Sequence, residues 1–197
     1  MELRVLGSSG VKVSPICLGT MLFGDQTNEK TAAAIVAMAR DAGVNFIDTA
    51  DVYVSGTSEK ITGKLIAKQR DKWVLATKVG GPFGGGVDPN QRGLSRRWIT
   101  HQLEQSLRRL RTDYIDIYYF HREDHETAFE ESLRAVEDAI RAGKIRYFGL
   151  SNFRAWRHSE VVWLCKELGM NKPVVSQPYY NALNRMPEVG GLPGCAH

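Results

Sequence analysis

Short apolar runs alternate with amphipathic segments along this chain, and that alternation restricts the fold more than any single residue does. The runs are Ile16 to Met21, Asn45 to Asp48, Trp73 to Lys78, Tyr114 to His121, Arg146 to Ser151 and Val174 to Gln177. Each is rich in β-branched or aromatic residues and too short for a helix, so each is predicted to be a buried strand. Between them lie Glu29 to Ala42, Ser58 to Lys68, Arg96 to Leu110, Glu126 to Ala142 and Trp156 to Leu168. In these segments apolar residues such as Leu103, Leu107 and Leu110 recur at helical spacing and would face a sheet. Gly43, Gly143 and Gly169 stand where helix C-terminal caps belong. Ser95 or Thr100, Thr127 and Ser58 stand where N-caps belong. Alternation of this kind builds a parallel sheet with helical crossovers, an α/β fold. Glu2 to Val13 is predicted to form a small hairpin turning at Ser8-Ser9-Gly10, placed to cover one end of a barrel. At 197 residues the chain is expected to be one domain, residues 1–197.

Composition removes several classes. Hydrophobic residues make up 43% and charged residues 24%, which excludes a disordered acidic tail or a collagen-like repeat. No run approaches the roughly 18 apolar residues of a membrane span, and MELRVLGSSG lacks the apolar core of a secretory signal. A cytoplasmic protein without a membrane partner is expected. Cys17, Cys165 and Cys195 are widely spaced and form no CxxC pair, so reduced thiols are expected and no metal site. The net charge of +4 suits a phosphate-bearing ligand. Arg92, Arg96, Arg97, Arg108, Arg109 and Arg111 lie mostly on one predicted helix, with only Trp98 among them. They read as a solvated helix face, and no nucleic-acid partner is expected.

No strand is followed by GxGxxG, so the fingerprint of a doubly wound dinucleotide fold is absent. The cluster Gly80, Gly81, Gly84, Gly85 and Gly86 matches no phosphate loop and reads as a flexible loop near a site. The chemistry gathers at strand ends, where a βα barrel places its active site. Asp48 ends the second run, with Tyr53 in the loop beyond it. Lys78 ends the third, His121 the fourth, Ser151 and Asn152 the fifth, and Gln177 the sixth. A phenol, with an ordinary pKa of about 10, is a poor acid near neutral pH, and a nearby ammonium corrects this by favouring the phenolate. A carboxylate would hold the lysine in place, and a neutral imidazole could orient a carbonyl oxygen. Together they make a tuned acid suited to protonating a carbonyl oxygen while a hydride reaches carbon. No side chain donates hydride, so a cofactor must supply it. The hydroxyl and amides of Ser151, Asn152 and Gln177 suit a flat carboxamide such as that of nicotinamide.

The segments GTMLFG at 19–24, NFIDTADVY at 45–53 with SEK at 58–60, LATKVG at 75–80, DYIDIYYFHRED at 113–124, GKIRYFGLSNF at 143–153 and QPYYNALNR at 177–185 occur in one order. In that order and spacing the chain resembles the aldo-keto reductase family, whose members are NAD(P)H-dependent reductases on a TIM-type (β/α)8 barrel. The resemblance implies that Asp48, Tyr53, Lys78 and His121 are the catalytic tetrad, with Tyr53 as the proton donor. It implies nicotinamide contacts from Ser151, Asn152 and Gln177, and a cofactor-side lining from Gly19, Thr20 and Met21, with Asp48 beside them. It also implies NADPH as cofactor, a small-molecule carbonyl substrate, and reduction of aldehydes or ketones to alcohols.

Other residues read differently. Asp116 and Tyr118 lie within the fourth run and read as structural. His101 and His158 read as solvated on helix surfaces. Asp124 and His125 are open to a structural role or to one at the substrate rim. Phe23, Tyr53, Trp98 and Tyr179 could form an aromatic wall, Trp98 could instead be packing, and Tyr179 and Tyr180 could be core.

A closed barrel has eight strands and about 250 residues. Six βα units are legible here, and two more would need roughly 60 residues. A C-terminally truncated member of the family is therefore expected, lacking later segments that the resemblance assigns to cofactor phosphates. Such a chain would leave two open sheet edges prone to self-association. A non-catalytic remnant, or a binding or regulatory subunit on the same scaffold, is the alternative function.

Overall fold

The computed structural model describes residues 1–84 and 88–195. Gly85 and Gly86 of the glycine cluster lie outside the described residues. Two short strands, β1 (Arg4–Val5) and β2 (Lys12–Val13), pair antiparallel as the expected hairpin. Six strands then form one parallel sheet in chain order: β3 (Cys17–Gly19), β4 (Phe46–Asp48), β5 (Val74–Val79), β6 (Ile115–Phe120), β7 (Ile145–Ser151) and β8 (Val175–Gln177). Five helices connect them: α1 (Glu29–Asp41), α2 (Thr57–Ile66), α3 (Arg96–Leu110), α4 (Phe129–Arg141) and α5 (Ala155–Glu167). A short helix α6 (Gly191–Cys195) follows β8. This is a partial (β/α)8 barrel, and strand alternation with parallel pairing is its direct cause. No described helix is long and apolar enough to cross a membrane.

The sheet has two differently filled faces. Its outer face packs against the helices, and Leu103, Leu107 and Leu110 of α3 are buried there as their spacing predicts. Burying each such side chain contributes roughly 1.5–3 kcal/mol. The inner face collects Val13, Phe46, Ala76, Ile117 and Tyr119, with Leu6, Val11 and Val175 packed against them. Phe46 of β4 and Val175 of β8 can share that cluster only because the sheet curls on itself. The hairpin closes the end of this inner cluster where the strands begin. Its Gly7, at φ +52°, sits so close to β8 that an added Cβ would meet the Val174 carbonyl oxygen at 2.1 Å. Only glycine allows that approach.

Helix ends follow the sequence in part. Gly43, Gly143 and Gly169 take positive φ just past α1, α4 and α5. Ser95, not Thr100, caps α3 by accepting from Trp98 N. Two expectations are corrected. Thr127 does not cap α4, whose flanking residue is Ala128; instead Asp124 Oδ1 accepts from Glu126 N and Thr127 N. Ser58 does not cap α2, which follows Gly56. Its hydroxyl is buried, donating to Thr20 O and meeting Thr20 Oγ1 and Thr49 Oγ1. The missed cap is Asn28, which accepts from Thr31 N ahead of α1.

Candidate active site

The carboxyl ends of the sheet strands bring the seven strand-end side chains named from the sequence into one circuit. Asp48, at the end of β4, is 7% exposed, and Lys78 near the end of β5 is fully buried. Lys78 Nζ donates to Asp48 Oδ2 at 2.5 Å, to Thr49 O at 2.7 Å and to the Tyr53 hydroxyl at 3.2 Å. All three ammonium donors are thereby used, and the lysine has one available position. The Tyr53 ring meets the His121 ring edge-on, with centroids 5.8 Å apart. His121, just past β6, accepts through its backbone carbonyl from Asn152 Nδ2 at 3.0 Å. That amide also donates to Ser151 Oγ, and Ser151 Oγ donates to Gln177 O. The Gln177 amide in turn faces the Asp48 carboxyl. β8 thus comes near β4, while Asp48 Oδ1 keeps no hydrogen-bond partner among the described residues.

Local backbone geometry explains how Tyr53 reaches this place. Thr49 N and Asp51 N donate to Ala76 O and Lys78 O, extending the β4–β5 ladder beyond the strand. The chain then turns through Tyr53–Gly56, a 3-10 segment in which Val54 (φ 48°), Ser55 (φ 51°) and Gly56 (φ 85°) are left-handed. Left-handed geometry is costly for a β-branched valine. Asn152 is also left-handed at φ 57°, which asparagine tolerates better than most residues.

Electrostatics separate the roles of the titratable groups. Burial pushes the Asp48 carboxyl above its ordinary value, while Lys78 and, less strongly, Gln177 pull it back. Burial, then the charges of Lys78 and Arg122, lower His121 to about 4. The imidazole is therefore neutral at pH 7, and its buried Nδ1 has no hydrogen-bond partner among the described residues. This leaves a neutral ring beside a phenol and an ammonium.

The first-strand residues divide. Thr20 is buried, and its hydroxyl is engaged by Asp48 O and Ser58. Gly19 has open space where a side chain would stand, and Met21 is 56% exposed. The aromatic wall is corrected. Phe23 is core, Trp98 is buried between Phe83 and His101, and Tyr179 and Tyr180 are exposed rather than core. Tyr53 alone of the four named residues belongs to the site. His158 is also corrected: it is half-buried against β8, with Nε2 at 3.0 Å from Ser176 Oγ. Asp124 is structural, accepting from Leu94 N as well as from its own loop. His125 contacts Glu123 and Arg157. Asp116 accepts from Arg70 and Leu75 N, and Tyr118 is buried under the helices, so both are structural.

Sequence reasoning missed the Thr49 carbonyl that anchors Lys78, since a backbone acceptor leaves no compositional signal. It also missed Glu59, fully buried behind the site, whose presence in the SEK segment was the available clue. A separate groove of about 550 Å³ opens beside Asn152, between the start of α5 and the C-terminal segment. None of Asp48, Tyr53, Lys78 and His121 lines it.

The profile of the Aldo/keto reductase family matches residues 15–197, and the chain belongs to that family. It is 42% identical over 202 residues to "Uncharacterized oxidoreductase YrpG" of Bacillus subtilis (strain 168), covering 98% of this chain and 62% of the relative. It is 40% identical over 189 residues to proteins of Arabidopsis thaliana and Oryza sativa subsp. japonica, each described as "Probable voltage-gated potassium channel subunit beta". Those matches cover 94% of this chain and 57% of each relative. The chain thus spans about three fifths of the length of these relatives.

Proposed function

We propose that this protein reduces aldehydes or ketones to alcohols with NADPH, and that Tyr53 supplies the proton. The observation that carries this reading is the Lys78 ammonium, held by Asp48 and donating to the Tyr53 hydroxyl beside a neutral His121. As the phenol proton passes to the carbonyl oxygen, negative charge grows on the tyrosine oxygen, and the ammonium stabilises it. Asp48 keeps the ammonium aimed. His121, neutral, donates to the same carbonyl oxygen and fixes its direction. A nicotinamide cofactor, when bound, supplies the hydride that completes the alcohol at carbon.

The residues present suit such a cofactor. Ser151, Asn152 and Gln177 offer hydroxyl and amide groups at adjacent strand ends, where they would hold a carboxamide. Gly19 and Met21 would line the same side, with Thr20 fixing the strand end beneath them, because its hydroxyl and its backbone are both engaged within the fold. YrpG, described as an oxidoreductase, supports the reading.

A titration of the 197-residue protein with NADPH, followed by quenching of its four tryptophans, tests it. Saturable binding followed by aldehyde-dependent oxidation of NADPH is expected. Folded protein that neither binds nor turns over refutes the proposal, and NADH run in parallel decides between the two cofactors. The relatives described as channel subunits favour a second reading, a nicotinamide-binding subunit. Binding without turnover of any carbonyl would select it.

A further inference from the structure

Behind Tyr53, on the helix side of the sheet, lie charged groups that the proposed reaction does not use. Asp51 and Glu59 are both fully buried, as is the neighbouring Tyr118. Arg109 is 12% exposed and donates through Nε to Glu59 Oε2 at 2.5 Å. Its Nη2 donates to Gln102 Oε1 and Ser106 Oγ, while Glu59 Oε1 accepts from Thr77 Oγ1 at 2.6 Å. The other cation beside this cluster, Lys78, is bound to Asp48. In this cluster three carboxyls therefore share two cations, and geometry pairs Asp48 with Lys78 and Glu59 with Arg109.

Asp51 is the one left over. Neither of its oxygens has a hydrogen-bond partner among the described residues, and neither does the Tyr118 hydroxyl. The charged and titratable groups around it are Glu59 from α2, Arg109 from α3, Lys78 from β5 and Tyr118 from β6. An ionised Asp51 would be an uncompensated buried anion beside Glu59, which a protein avoids by keeping the proton. Burial first, then Glu59, push this carboxyl well above the ordinary range, against weaker opposing pulls from Arg109, from the adjacent Val52 N–H and from Lys78.

Its place in the chain gives this consequence. Asp51 N donates to Lys78 O at 3.3 Å, so Asp51 is pinned to β5 at the start of the turn that carries Tyr53. We infer that Asp51 is a positioning residue, held inside the fold as a neutral carboxylic acid, and that loss of its proton at high pH unseats the Tyr53 turn. The consequence for activity rests on the proposed role of Tyr53; the protonation state does not.

A group whose folded value is raised contributes its full stability below its unfolded value and loses it as pH rises toward the folded one. Asp51→Asn copies the neutral acid and removes that loss. Its melting temperature should exceed that of the wild type by about 2–4 °C at pH 8, and the gap should close toward pH 4. The wild type at pH 7 should show a carboxylic-acid C=O stretch in the infrared that Asp51→Asn lacks. If the protein reduces carbonyls, the alkaline limb of its rate profile should move to higher pH in Asp51→Asn. A variant that fails to fold, or melts no higher at pH 8, overturns the inference, as does a wild type without the infrared band. Absence of turnover at every pH would refute the proposed reaction instead, leaving the melting and infrared results to decide Asp51.

Discussion

The Lys78 ammonium lies 3.2 Å from the Tyr53 hydroxyl, although 25 residues and the whole of α2 separate them in the chain. The same ammonium stands 4.8 Å from the centre of the Tyr53 ring. A fixed positive charge at that distance is placed to stabilise negative charge that develops on the tyrosine oxygen during proton transfer. The function proposed for this protein depends on that one contact more than on any other.

Replacing Tyr53 by Phe removes the hydroxyl and little else. Carbonyl reduction should fall by about 10²–10⁴-fold, the typical worth of a positioned general acid. Cofactor affinity, read by tryptophan quenching, should be unchanged. Turnover at the wild-type rate would show that another group gives the proton.

Lys78→Met leaves Asp48 buried without its cation. Removing one partner of a buried pair costs about 3–5 kcal/mol, so urea denaturation should show a loss of that size. Asp48→Asn introduced into Lys78→Met should recover part of the loss, because the orphaned charge is gone. Two simply additive losses would mean the pair is not coupled as the geometry requires.

His121 is lowered from 6.5 to about 4. For a histidine depressed in this way, stability is fully present above pH 6.5 and drains as pH falls toward 4, because the unfolded chain takes up the proton first. NMR of the imidazole should place its midpoint near 4. His121→Gln should flatten the fall in stability across that window. A midpoint near 6.5 would mean a charged ring at the site in mildly acidic solution.

Within the described residues, β3 and β8 each have a neighbour on one side only. Unpaired edges of a parallel sheet invite pairing with another copy. Sedimentation of the 197-residue protein should therefore show concentration-dependent association. A monomer across the whole concentration range would mean that the hairpin and C-terminal segment shield both edges.

Much of this molecule was legible in its residues because βα units write themselves locally. The run Tyr114 to His121 contains β6, marked by its unbroken apolar stretch, and Arg96 to Leu110 is α3 to the residue, marked by its apolar period and a serine cap. Asp48, Lys78 and Gln177 were findable because a strand end is where polarity interrupts an apolar run. His158 was misread because its partner, Ser176, lies on a strand 18 residues away. Ser58 was misread because a serine near a helix start looks like a cap whether or not its hydroxyl turns inward.

Sequence alone thus determined the order of strands and helices, the side chains at the strand ends and the family they resemble, because periodicity and order are properties of the chain itself. Tertiary structure decided which of those side chains touch. The curl of the sheet brings Gln177 toward Asp48, and the left-handed turn after Tyr53 lays its hydroxyl on Lys78. The two cations of that cluster, Lys78 and Arg109, go to Asp48 and Glu59, and Asp51 is left with neither. That allocation depends on distances between segments far apart in the chain, and no local pattern of residues encodes them.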